Sequence, residues 1–186
     1  MAKKDVQDYP YQKLGQLLGV IPHEDERGLI LSLSSFAEES LRRLLMVYMR
    51  DVKSSAKLIE DFGAPLGTFS AKIAAAFALG LISDTQYADL EQLRNIRNQF
   101  AHTWTGVSFK TDSVRKRIDN ISEPRHGAPD SQFDPQFDKV RRTFSGTIAE
   151  MELLAERIKT LDLRLKPISA HAVELTKQNK NRTCAP

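Results

Sequence analysis

Apolar residues return at steps of three and four along most of the chain, the pattern of helices that each bury one face. Between Glu24 and about Val52 the stripe is Leu33, Ala37, Leu41, Leu44 and Tyr48, with Glu38, Glu39, Arg42 and Arg43 mostly off it. That spacing predicts a long packing helix. A shorter helix is expected from Ser55 to Phe62, stopped by Gly63. Pro65-Leu66-Gly67 reads as a turn. Thr68 then caps a helix to Leu79, with Phe69, Ile73, Ala76 and Phe77 on its apolar side. Gly80 is expected to end it in a left-handed conformation. Ser83 opens the next helix, and Gln86, three residues on, completes a capping box. Tyr87, Leu90, Leu93, Ile96 and Phe100 carry this helix to about His102.

Residues 103–110 are irregular, and Thr111 or Asp112 caps a small helix through Val114, Ile118 and Ile121. Residues 122–136 contain three prolines and one glycine, which predicts a surface loop. The last long helix is expected from about Pro135 to Leu165, through Phe137, Val140, Phe144, Ile148, Met151, Leu154, Ile158, Leu161 and Leu165, with Pro167 marking its end. Lys139, Arg141 and Arg142 are expected to be solvated, because Val140 and Phe144 set the buried side. At the other end, Leu14, Leu17, Leu18, Val20 and Ile21 are interrupted by Gly15, Gly19 and Pro22, a short helix or an arm. No strand pattern of comparable length is present. The chain therefore reads as an all-α bundle: an N-terminal arm over 1–23, a single helical domain over 24–166 and a flexible polar tail over 167–186.

Composition narrows the class. The 186 residues are 41% hydrophobic and 27% charged, as expected of one globular domain and not of a disordered chain. No apolar run is long enough to span a membrane. The first residues lack the apolar core of a secretory signal. A single cysteine, Cys184, excludes an internal disulfide and a cysteine-based metal site. A cytoplasmic protein with no cofactor, no metal and no membrane partner is expected. Lys and Arg number 27 against 24 Asp and Glu, giving +3. The isoelectric point near 9.0 permits a nucleic-acid partner without demanding one.

The stretch LRNIRNQFAHTW gathers Arg94, Asn95, Arg97, Asn98 and His102 near one helix end. Asn98 and His102 are four apart and share a face, which Arg94 extends. Arg97 lies about 140° around the helix from His102. A guanidinium is a permanent, planar charge suited to phosphate, and an imidazole trades protons near neutral pH. Together they suit metal-free attack of an RNA 2′-hydroxyl on the neighbouring phosphate. In that scheme His102 moves the proton, Arg97 stabilises the transition state and Asn98 orients the histidine or a phosphate oxygen. One histidine per chain is thin for acid and base together, and a homodimer would supply a second. The plainer alternative is structural. A histidine in a last helical turn suits the helix dipole, and an arginine one turn earlier pairs with a carboxylate such as Glu38 or Glu39.

RNQFAH matches the Arg-x4-His pattern of the HEPN superfamily, small helical bundles of which many are metal-independent ribonucleases after dimerising. A longer stretch, APLGTFSAKIAAAFALGLISDTQYADLEQLRNIRNQFAH, resembles the bacterial mannitol operon repressor family. Pro65-Leu66-Gly67, Gly80-Leu81-Ile82, Tyr87-Ala88-Asp89 and Arg97 to His102 carry that resemblance, and SFAEESLRRLLMVYM fits it. It covers roughly residues 30–110, and the section from Phe109 to Gln136 matches nothing specific to the family. The resemblance implies a HEPN-like bundle and a regulator of gene expression, acting as a homodimer through a partner or nucleic acid. The motif implies an endoribonuclease, a toxin or defence effector with an antitoxin or other protein partner. In such bundles a carboxylate of the first long helix, here Glu38 or Glu39, anchors the motif arginine.

Further candidates are weaker. Lys110, Arg115, Lys116, Arg117 and Arg125 form a basic section that could track RNA, with Phe109 or Trp104 stacking a base. Ala76-x3-Gly80 followed by Ser83 imitates a helix-turn-helix. The following helix begins SDTQYADLEQ, with no basic residue before Arg94, so direct reading of DNA by it is disfavoured. His23, His126 and His171 lack metal-ligand spacing and read as surface residues.

Overall fold

The computed structural model describes residues 10–22, 24–103 and 105–167. Those residues form seven helices: α1 (Pro10–Val20), α2 (Glu26–Tyr48), α3 (Lys53–Ile59), α4 (Phe69–Ala78), α5 (Asp84–His102), α6 (Asp112–Asp119) and α7 (Pro135–Thr160). None of the described residues is in a strand. The expected arm thus contains a helix, which places Leu14 and Leu18 in the core. The expected polar tail beyond Pro167 lies outside the described residues, as do His23, Trp104, His171 and Cys184.

The bundle is organised around α2. Its stripe of Leu29, Ile30, Leu33, Ala37, Leu41, Leu44 and Leu45 is buried. It packs most extensively on α7 and also against α4 and α5, while α1 joins α7 and α6 joins α5. On α7 the buried side is Phe137, Val140, Phe144, Ile148, Met151, Ala155 and Ile158. Two carboxylates, Asp138 and Glu152, are buried on the same helix. Glu152 is 2% exposed, and the Ser40 hydroxyl donates to its Oε1 at 2.6 Å. Arg43 Nη1 lies 3.2 Å from its Oε2. A charge this deep persists only when paired.

Three expectations from the pattern need correction. The first long helix ends at Tyr48, and Met49 is extended. The last helix ends at Thr160, and Asp162 takes a left-handed conformation (φ 48°). The Leu165 amide then donates to the Tyr48 carbonyl at 2.8 Å, so the chain crosses the end of α2. Leu161 and Leu165 are consequently 54% and 41% exposed and do not extend the buried stripe. Finally, the cations at the start of α7 are held against protein. Lys139 pairs with Glu123, Arg142 pairs with Asp138, and Arg141 lies over the Phe133 ring at 4.7 Å.

Candidate functional site

The start of α5 is fixed as its sequence predicts. The Ser83 side chain accepts from the Gln86 amide, and the Gln86 side chain accepts from the Ser83 amide. The Gln86 side chain also donates to Glu150 on α7 at 2.8 Å. Gly80, at φ 69°, makes the left-handed turn out of α4. One turn further, Asp89 is 1% exposed and accepts from the Ser122 amide (2.9 Å) and hydroxyl (2.6 Å). This pair ties the 122–134 loop to α5. Leu90, Leu93, Ile96 and Phe100 bury one side of the helix. That leaves Arg94, Arg97 and Asn98 on the side away from the core.

The other end of α5 is set from the start of α2. The Arg27 guanidinium donates to the carbonyls of Phe100 and Thr103, acceptors that a helix end leaves open. Its neighbour Glu26 accepts from the Phe109 amide at 2.6 Å. Burial raises the Glu26 pKa, the Phe109 hydrogen bond pulls it back, and the nearby charge of Asp134 pushes it up further. Phe109 is buried edge-on against Phe100 at 6.0 Å, so it is not available to stack a base. Arg27 thus holds carbonyls at the end of the motif helix, and Glu26 holds the segment that follows it. An acid followed by a base at a helix start gives no sign in the sequence of contacts some seventy residues away.

Arg97 is exposed, and its Nη1 donates to the Asn98 Oδ1 at 3.3 Å. Arg94 is bonded through two nitrogens to Glu91, at 3.2 and 2.8 Å, which raises its pKa. The expected anchoring of the motif arginine by Glu38 or Glu39 is not observed. Glu38 pairs instead with Lys72 of α4 at 2.8 Å. Lys72 is 5% exposed and also donates to the Gly67 carbonyl, so it is fixed between α2 and the turn before α4. Glu39 is held by two nitrogens of Arg42, at 2.8 and 2.7 Å, and that hydrogen bonding lowers its pKa.

Glu38, Arg94, Arg97 and Asn98 nevertheless come together. With Thr68, Phe69 and Ser70 at the start of α4 they line a cleft of about 280 Å³. His102 sits in the last turn of α5, exposed, and does not line it. The basic candidates of α6 stand apart from the cleft. Arg115 pairs with Asp112, Arg117 donates to Gln92 at 3.4 Å, and Lys116 is exposed. His126 is exposed and lies 3.2 Å from Glu150, which Arg125 also engages. Among the described residues no group of three or more His, Cys, Asp or Glu side chains could hold a metal ion.

The described residues thus form an all-helical bundle with a polar cleft lined from α2, the start of α4 and the outer side of α5. The family model described as "Mannitol repressor" matches residues 51–146, just over half the chain, and the chain belongs to that family. The mannitol operon repressor of Escherichia coli strain K12 is 26% identical over 110 residues, 58% of this chain and 56% of its own length. The same protein of E. coli strain CFT073 matches to the same extent. The match therefore spans little more than half the length of these curated relatives. Among solved structures, the X-ray structure of the MtlR-HPr complex from E. coli resembles the fold. The TM-score is 0.54 at 20% identity, over 82% of this chain and 99% of that one.

Proposed function

We propose that this protein is a negative regulator of gene expression that works by binding, as a helical homodimer acting through a protein partner. The observation that carries the reading is the family match over residues 51–146, which contains the α4–α5 pair and every residue of the cleft except Glu38. A protein partner is supported by the structural neighbour, which was solved bound to HPr. Reading of DNA by α5 itself is opposed by Asp84 in its first turn and by the lack of any basic residue on it before Arg94. Two measurements test the proposal. Titration calorimetry of the full chain with HPr should give saturable binding. Transcript levels with the chain present and deleted should identify at least one gene that it holds down. A folded chain that binds no HPr and changes no transcript would overturn the reading.

A second reading has its own support. Arg97 and His102 are both exposed, and neither makes an ion pair among the described residues. Both therefore remain accessible to an RNA backbone, with Asn98 beside them. The reaction would be metal-independent endonucleolytic cleavage leaving 2′,3′-cyclic phosphate ends. Cleavage of total RNA in EDTA that is lost in His102→Ala would establish this activity. Its absence from a well-folded protein would demote Arg97 and His102 to helix-end structure.

A further inference from the structure

We infer that the cleft formed by α2, the first turn of α4 and the exposed side of α5 binds a phosphomonoester. Two guanidinium groups, Arg94 and Arg97, line the same small space. Arg94 is balanced by Glu91 at 2.8 Å. Glu38, the one carboxylate in the lining, is balanced by Lys72 at 2.8 Å. Arg97 has only the neutral amide oxygen of Asn98. Of the five charged groups, three are positive and two negative, so the cleft keeps one uncompensated positive charge.

The remaining lining completes a site for oxygen-rich anions. Asn98 receives Arg97 through its Oδ1, which leaves its amide nitrogen to donate. In the same lining the hydroxyls of Thr68 and Ser70 share a hydrogen bond at 3.2 Å, which leaves one of them free to donate to a ligand. Thr68 Oγ1 already accepts from the Ala71 amide. The helix behind it, ten residues long, adds the favourable end of its dipole to the charge of the arginines. Planar guanidinium forks and hydroxyl donors around one space match a phosphate oxygen cluster better than a single carboxylate. Phe69 supplies an apolar wall for a short carbon chain. A space of about 280 Å³ holds a phosphate with a few further heavy atoms. Pockets for drug-sized ligands run from roughly 300 to 1,000 Å³.

The phosphomonoester could be a free metabolite or the 5′ end of an RNA, and the test separates the two. Titration calorimetry of the full chain with glycerol 3-phosphate, against glycerol at matched ionic strength, should show saturable binding of the phosphate only. Arg97→Gln should weaken it at least tenfold. Ser70→Asp, which places a carboxylate in the cleft, should abolish it. Lys57→Gln, on the exposed side of α3, should leave it unchanged. A 5′-phosphorylated oligoribonucleotide that displaces glycerol 3-phosphate, where its 5′-hydroxyl form does not, assigns the site to RNA ends. A failure to displace assigns it to a free metabolite. The inference is overturned if neither phosphorylated probe binds saturably, or if Arg97→Gln and Ser70→Asp bind as the unaltered chain does. The unaltered chain binding phosphate but neither HPr nor any regulated gene would sink the regulatory reading and leave the site standing.

Discussion

Glu26 is a carboxyl group in a place that opposes its charge. Burial and Asp134 raise its pKa above the ordinary value of 4.5, while the Phe109 amide and Lys110 only partly offset them. A carboxyl raised in the folded state binds more protons there than in the unfolded chain. Its contribution is therefore fully present below the ordinary value and is lost as pH rises through the raised one. Glu26→Gln keeps an acceptor for the Phe109 amide without the charge. Denaturant titrations from pH 4 to pH 7 should show the variant gaining on the unaltered protein as pH rises. A difference independent of pH would show that Glu26 is not perturbed. Arg27 beside it makes a separate prediction. Removing its guanidinium in Arg27→Ala leaves two carbonyls at the end of α5 without their charged donor. The cost should be about 1–3 kcal/mol, with faster amide exchange concentrated after Phe100. At this scale the sequence was informative about residue types and silent about partners. Arg94, Arg97 and Asn98 stand out in a single stretch and do share a cleft. That Lys72 would take Glu38, leaving Arg97 without a carboxylate, depends on a buried lysine from another helix.

Helix boundaries follow local chemistry where the local signal is complete. Ser83 with Gln86, Thr68 as a cap, and Gly80 in the left-handed region are all legible, because each acts within four residues. Ser83→Ala should cost about 1 kcal/mol in denaturant unfolding, and a loss well above that would mean that Gln86 also releases Glu150 on α7. The end of α7 was not legible, since Leu161 and Leu165 continue the apolar spacing past the point where the helix stops. A local turn ends it, with Asp162 left-handed and the Leu163 amide bonding back to Ile158, and one tertiary bond then fixes the chain, from the Leu165 amide to Tyr48 at the end of α2. The Asp89–Ser122 pair is tertiary too. An aspartate early in a helix ordinarily faces solvent, yet Asp89, in the second turn of α5, is buried and holds a loop. Asp89→Ala should therefore destabilise by about 1–3 kcal/mol, whereas the exposed Asp84→Ala should change little. Equal effects at the two positions would show that the loop is held by other contacts.

For the whole molecule, the all-helical architecture was readable because α2 and α7 each carry an apolar stripe long enough to define a bundle. Self-association does not follow from the apolar pattern, and a homodimer is expected only from the resemblance and from the need for a second histidine. The homodimer we propose would pair the faces that carry Arg97 and His102. Ala101 lies between them, exposed and small, and would permit close approach of a second copy. A glutamate there would hold the two chains apart without touching the core, since Phe100 and Ile96 face inward on the same helix. Ala101→Glu should thus sediment as a monomer with unchanged helix content, where the unaltered chain sediments as a dimer. Arg97 adds a further expectation. Two copies of an uncompensated cation brought face to face repel through solvent, and salt screens that repulsion over about 10 Å at 0.1 M. Dimerisation of the unaltered chain should accordingly strengthen from low to moderate salt, and Arg97→Gln should remove that dependence. If Ala101→Glu remains dimeric and salt has no effect on either protein, the chains associate through another face.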